Sequence, residues 1–213
     1  MSKQCIYEKN MSPEKTIFNN AFFKSKADLL ELPEITRNIS ELKEIEISSS
    51  TFPELDTANW YLQELKTKCT KFNIHKLIIT IDDCGSIAEL DNAIRNKNVQ
   101  SHFKWIKTAH FLGYNHIKVL FKNIYFDEIT EIAAIDGLTK LVDFAELFHV
   151  DVIVGIVDES KSELIWLNNV INSINKSNCY IVNYKTIQNI TDKILMINYE
   201  CSNKKTYSIT DFL

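Results

Sequence analysis

Glycine and proline are scarce in this 213-residue chain, at four and three copies. No glycine-rich loop follows any apolar run, which disfavours the dinucleotide-binding fingerprint and its doubly wound sheet. The scarcity also strips the loops of their usual punctuation, and Asn and Lys stand in its place. The five cysteines, at 5, 69, 84, 179 and 201, form no CxxC or CxxH pair and are odd in number. That speaks against a disulfide framework or a zinc site and for buried free thiols in a reducing compartment. A basic stripe with interleaved aromatics is missing and the net charge is −4, so a nucleic-acid partner has no support. Lys66, Lys68 and Lys71 read as the solvated face of a helix. No apolar run reaches the length of a membrane span. The opening MSKQCIYEKN has neither the long apolar core nor the small-residue cleavage site of a signal peptide. The expectation is a cytoplasmic protein with no membrane partner.

What is present is an ordinary globular composition, 45% hydrophobic and 24% charged. The length suits a single domain over 1–213. Short apolar runs rich in β-branched residues recur at 44–48 (EIEIS), 76–82 (KLIITID), 117–121 (IKVLF), 150–157 (VDVIVGIV), 179–182 (CYIV) and 193–198 (KILMIN). They read as strands buried on both faces, with a weaker first strand at 4–7. Between them lie helical stripes with 3–4–3 spacing: Leu62, Leu65, Cys69, Phe72; Ile135, Leu138, Val142, Ala145; Leu164, Leu167, Ile171, Ile174. Trp105, Ile106, Ala109 and Leu112 form another such face, and Asp56-Thr57 and Ser160 suit N-caps. Strand–helix alternation demands parallel strands with helical crossovers. The spacing fits a TIM-type (β/α) barrel, α/β in class, with seven candidate strands where a full barrel needs about eight. The expected barrel is therefore incomplete, short of its C-terminal unit. Its open side is expected to be buried in a two-fold homodimer. The alternative is cover by the polar segment 8–26, which carries Ile17-Phe18 and Phe22-Phe23.

Three stretches carry a resemblance: 27–52 (ADLLELPEITRNISELKEIEISSSTF), 81–119 (IDDCGSIAELDNAIRNKNVQSHFKWIKTAHFLGYNHIKV) and 143–160 (DFAELFHVDVIVGIVDES). They resemble the xylose-isomerase-like TIM barrels of the sugar phosphate isomerase/epimerase family. The first matches an opening helix leading to a Glu-bearing second strand. The second matches the loop after the third strand and a long helix with an H-x-K-W step. The third matches a helix running into the fifth strand.

The resemblance implies a divalent metal such as Mn, Mg or Zn at the C-terminal mouth, held by carboxylates and a His, polarising sugar oxygens while carboxylates move a proton. This chain departs from that pattern. Gly155 stands where the fifth strand's Glu ligand belongs, Asn183 where the sixth strand offers Asp, Ile197 where the seventh offers a polar residue, and Leu120 where the fourth often has Asn. Asn19 falls near the family's early His, and the closing Glu has no counterpart. Glu46 and Asp82 survive as weak catalytic candidates at neighbouring strand ends, and with Asp83 they are the one combination that offers an alternative metal site. Cys84 replaces an acidic residue; it reads as a buried thiol, not a nucleophile. His102 and Trp105 match the family's helix, His102 as a packing or surface residue. Asp158 and Glu159 suit helix capping, and His149 suits a helix end where its charge meets the dipole. The expectation is a catalytically degenerate relative without a bound metal, a binding or regulatory module for a small sugar-like ligand. The rival expectation is a divergent isomerase or epimerase working through Glu46 and Asp82.

Overall fold

Five of the apolar runs fold as strands, each within one residue of where its β-branched side chains place it. The computed structural model describes residues 16–18, 28–39, 44–53, 59–156 and 161–181. In chain order the elements are β1 (Thr16–Phe18), α1 (Leu32–Ile39), β2 (Glu44–Ser48), α2 (Asn59–Lys71), β3 (Lys76–Ile81), α3 (Asn92–Leu112), β4 (His116–Phe121), α4 (Glu128–Glu146), β5 (Asp151–Ile156), α5 (Lys161–Ile174) and β6 (Cys179–Ile181). The strands expected at 4–7 and 193–198 lie outside the described residues, as do the N-cap regions at 56–57 and 160. Ile17-Phe18, read as part of a covering segment, instead belongs to a strand. The run TIF is short but pairs backbone to backbone with β2. No described helix is long and apolar enough to cross a membrane.

The described residues fall into two compact units. One holds 16–18, 28–39, 44–47, 51–53 and 59–76. In it β1 runs parallel to β2, with Ile17 opposite Ile45 and Phe18 opposite Glu46. Leu29, Ile45, Ile47 and Leu65 are fully buried, and α1 and α2 pack against one another. The other unit holds 48–50 and 77–181. Its strands β3, β4, β5 and β6 are parallel neighbours in sequence order, each joined to the next by one helix. That is the repeated βα unit that a parallel sheet requires.

In this unit the three longer strands share one burial pattern. Ile117, Val119 and Phe121 of β4 form one face, and Phe121 meets Trp166 of α5 edge-on at 5.3 Å, so this is the helix-covered face. Alternation then sends Lys118 and Leu120 to the opposite, inner face, with Ile153 and Gly155 in register on β5. Ile78, Ile153 and Tyr180 form an apolar cluster on that inner face. Helix α4 comes close to the sheet and loops because its buried side is built from Ala133, Ala134, Gly137 and Ala145 around Leu138 and Leu141. Burying each leucine contributes about 1.5–3 kcal/mol. Gly137 is obligatory: a Cβ there would stand 2.0 Å from the Ile87 carbonyl oxygen.

The helix ends show how a glycine-poor chain manages its turns. Asp91 caps α3 by accepting from the N–H groups of Ala93 and Ile94, and Asp127 caps α4 by accepting from Thr130. Gly113 closes α3 at φ 86°. Elsewhere the left-handed positions fall to Asn73, Asn123, His149 and Asn175, at φ 50–57°. Asn tolerates that region because its short side chain bonds locally. His149 stands in the turn at the C-terminal end of α4. Helix α4 ends at Glu146, and His149 is a left-handed turn residue beyond it, its N–H bonded to the Glu146 carbonyl.

Candidate functional site

The residues with chemistry gather where β2 and β3 end. Ser48, Ser49 and Ser50 follow one another at the close of β2 and into a short 3-10 turn, and Asp82 and Asp83 leave the end of β3. Ser48 Oγ donates to Asp82 Oδ2 at 2.5 Å. Ser50 donates twice to Asp82, through its backbone N–H to Oδ1 at 3.0 Å and its hydroxyl to Oδ2 at 3.1 Å. Ser49 Oγ lies 2.8 Å from Asp82 Oδ1 and 2.5 Å from Asp83 Oδ1, so its one proton serves one carboxylate at a time. The same oxygen accepts the Asp82 N–H at 3.0 Å.

Asp83 is anchored from a second direction by α3. Trp105 Nε1 donates to its Oδ1 at 3.0 Å and Lys104 Nζ to its Oδ2 at 3.1 Å. The ammonium also lies 4.8 Å from the centre of the Trp105 ring.

Electrostatics follow from these donors. Burial alone raises the Asp82 carboxyl, but the hydroxyls of Ser48 and Ser49 with the N–H and hydroxyl of Ser50 outweigh it and hold the group below its ordinary value of 3.8. Asp83 moves the same way: burial raises it, while Ser49 and Lys104 lower it further than burial lifts it. Burial pushes the Cys84 thiol up, and its Sγ donates to the Ser101 carbonyl at 3.3 Å. Cys84 is only half-buried, unlike the fully covered Cys69 and Cys179, which corrects its reading as a buried thiol. Its raised pKa keeps it a poor nucleophile. His102 is buried, its Nδ1 2.7 Å from the Asn98 carbonyl oxygen, and burial lowers its pKa despite that bond. It is a packed, neutral residue of α3.

A general base works best with a pKa near the operating pH. A carboxylate held low, with both oxygens already accepting, is an anchor joining two chain segments. Glu46, the other candidate, is a buried residue of β2 and belongs to the first unit, whereas Asp82 belongs to the second. Asn19, Asp158, Glu159, Asn183 and Ile197 lie outside the described residues. On β5, Gly155 pairs with Leu120 of β4, and a Cβ at 155 would meet Leu120 Cδ2 at 3.0 Å. The leucine methyl therefore occupies the start of the path that a side chain at 155 would take. Among the described residues, no group of three His, Cys, Asp or Glu side chains is placed to hold a metal ion, so the described donors do not fit the divalent ion that the resemblance implies.

No family model matches the sequence, and no curated protein does. Solved structures do match. A D-psicose 3-epimerase crystallised in the presence of D-fructose aligns with TM-score 0.66 and 12% identity over 84% of this chain and 65% of that one. The D-psicose 3-epimerase of Clostridium cellulolyticum H10 gives 0.63 and 15% over 78% and 61%. A xylose isomerase-like TIM barrel protein from Mycobacterium smegmatis gives 0.55 and 14% over 73% and 56%. The chain has the fold of the xylose-isomerase-like barrels. At these identities the likeness speaks for fold alone, and the chain spans 56% to 65% of the length of these barrels.

Within this barrel fold, the sequence reading missed the three serines and the tie from Trp105 to Asp83. A run of serines reads as a generic loop, and nothing local shows that its partners lie 32 to 34 residues ahead.

Proposed function

We propose that this protein is a sugar isomerase/epimerase-like barrel that has lost metal-dependent turnover and acts as a binding or regulatory module for a small sugar-like ligand. The observation that carries the reading is the inner-face layer at the ends of the strands. Gly155 offers no donor atom, the Leu120 methyl lies across its place, and the Asp82 carboxylate is committed to serine donors. A divalent ion of the Mn, Mg or Zn kind needs several oxygen or nitrogen ligands to replace its water, and one committed carboxylate holds it weakly. The structural neighbours with D-tagatose, with D-fructose and with magnesium motivate the choice of sugars and metal in the test. Purified protein is dialysed against trace Mn, Mg and Zn, analysed for bound metal, and assayed for epimerisation of D-fructose with and without Mn. The expected result is no stoichiometric metal and no turnover, with saturable D-fructose signals in saturation-transfer NMR. One tightly held metal per chain, or Mn-dependent turnover, would overturn the reading. The rival, an active enzyme using Glu46 and Asp82, needs Asp82 to accept a proton, and its lowered pKa works against that.

A further inference from the structure

A glycine inside a strand weakens it and marks a bulge, or a place where a backbone or a ligand comes close. Gly155 stands in β5 among Val152, Ile153, Val154 and Ile156, and the structural reasons for a glycine fail there in turn. Its backbone does not need one: among the described residues the left-handed region holds Gly113 and no other glycine. The β4–β5 register runs unbroken from His116 opposite Asp151 to Phe121 opposite Ile156, so no bulge falls at 155. No backbone presses on it either. Its chain neighbours aside, Leu120 Cδ2 is the one described atom within 4 Å of where its Cβ would stand. Gly137 is the contrast, with the Ile87 carbonyl oxygen at 2.0 Å. What the missing side chain leaves at 155 is space.

That space opens on the inner face near the strand ends. Gly155 and Leu120 are opposite one another in register and both partly exposed, whereas Ile153 one layer below is 1% exposed. The notch has a floor of β5 backbone and a wall made by the Leu120 methyl, 3.0 Å from the Cβ position. Neither residue has a side chain that can hydrogen-bond. Polar groups stand on the other side of Leu120. Ile81 of β3 is opposite Val119, so Asp82 follows at the level of Leu120. Ser48 and the exposed Ser50 donate to its carboxylate, and their two hydroxyls lie 2.7 Å apart. The layer is two-sided: hydroxyls and a carboxylate at the end of β3, a bare apolar notch on β5.

A molecule that complements such a layer carries hydroxyls at one end and a small C–H group at the other. A terminal CH2OH pushed into the notch would give up water with no side chain to bond its hydroxyl, which costs free energy, whereas a methyl gains by leaving water. We propose that Gly155 and Leu120 are specificity-determining residues that select a deoxy sugar, its terminal methyl seated on Gly155 against Leu120 and its hydroxyls turned toward Ser50 and Asp82; this rests on the reading of the protein as a binder of a small sugar-like ligand.

Binding to the full chain is titrated by saturation-transfer NMR with D-fructose and with its 1-deoxy and 6-deoxy forms, each of which replaces one terminal CH2OH by CH3. The expected result is that one deoxy form binds severalfold more tightly than D-fructose, with saturation strongest at its methyl protons. The Gly155→Ala variant, its fold checked by circular dichroism, should lose that margin because its own methyl fills the notch, and it asks only that the Leu120 methyl give way slightly. Leu120→Asn, which makes the wall polar, should lose the margin as well. D-Fructose binding with neither deoxy form tighter overturns the proposal and leaves the sugar-binding reading in place. Binding of none of the three sugars overturns both. A margin that survives in either folded variant overturns the assignment to Gly155 and Leu120.

Discussion

Replacing Asp82 by Ala removes the acceptor for Ser48 Oγ, Ser50 N, Ser50 Oγ and, part of the time, Ser49 Oγ. A hydrogen bond to a charged group is worth about 1.5–3 kcal/mol. The four do not add, because Asp82 is partly exposed, water takes over some donors, and Ser49 can turn to Asp83. The expected loss is therefore about 2–3 kcal/mol near neutral pH, read as a lower urea midpoint with unchanged slope. The pH dependence fixes the cause. The folded-state pKa of Asp82 lies below its ordinary 3.8, so its ionised form stabilises the fold. That contribution is fully present above 3.8 and is lost as pH falls through the depressed folded value. Parent and variant should thus converge in stability on acidification, and the parent should lose more. A folded Asp82→Ala protein within about 0.5 kcal/mol of the parent at neutral pH, or a gap that persists in acid, would refute the anchoring argument.

Gly137→Ala should cost at least about 3 kcal/mol, because its Cβ would be driven 2.0 Å from the backbone oxygen of Ile87; a parent-like urea midpoint would show that α4 does not sit this close. Gly155→Glu should cost about 1–3 kcal/mol as Leu120 is displaced, and, on the proposed reading, should give no turnover of D-fructose even with added Mn, since one added carboxylate does not complete a metal shell. Turnover by that single variant would mean the remaining site exists. A homodimer is the expected assembly, and the exposed Tyr125, Ile129 and Ile132 before and at the start of α4 give it an apolar surface to bury. Light scattering at micromolar concentration that reports a soluble monomer would reject it.

Much of the fold could be read from the residues. The runs at 44–48, 76–82, 117–121, 150–157 and 179–182 are each dense in Val and Ile, and strands covered on both faces require that composition. The stripe Ile135, Leu138, Val142, Ala145 placed α4 correctly because a 3.6-residue period survives any loop composition. β1 escaped because three residues carry no period at all. The caps at Asp91 and Asp127 escaped because the chain is rich in Asn, Asp and Ser, so each cap sits among equally good competitors. The candidate site was legible only in half. Asp82 could be named from its place after a strand, but its role depends on Ser48–Ser50 and Asp83 on Trp105, and those pairings join residues 22 to 34 apart in the chain, which no local pattern reveals. The substitution of Asn for Gly in turns was readable as composition, and Asn73, Asn123 and Asn175 show where it is used.

The segment from Asp82 to Ala88 is tied at three points to three different parts of one unit: to the serines after β2, to Trp105 of α3, and, through the Ile87 carbonyl pressed on Gly137, to α4. A loop tethered at one end can swing as a lid on its own timescale. One clamped from three sides cannot open unless the helices holding it open too. In hydrogen-exchange terms its amides then belong to the cooperative unit of α3 and α4, with protection near the global value although part of the segment is at the surface. Any gate that admits a molecule to the inner face must therefore be sought in another segment.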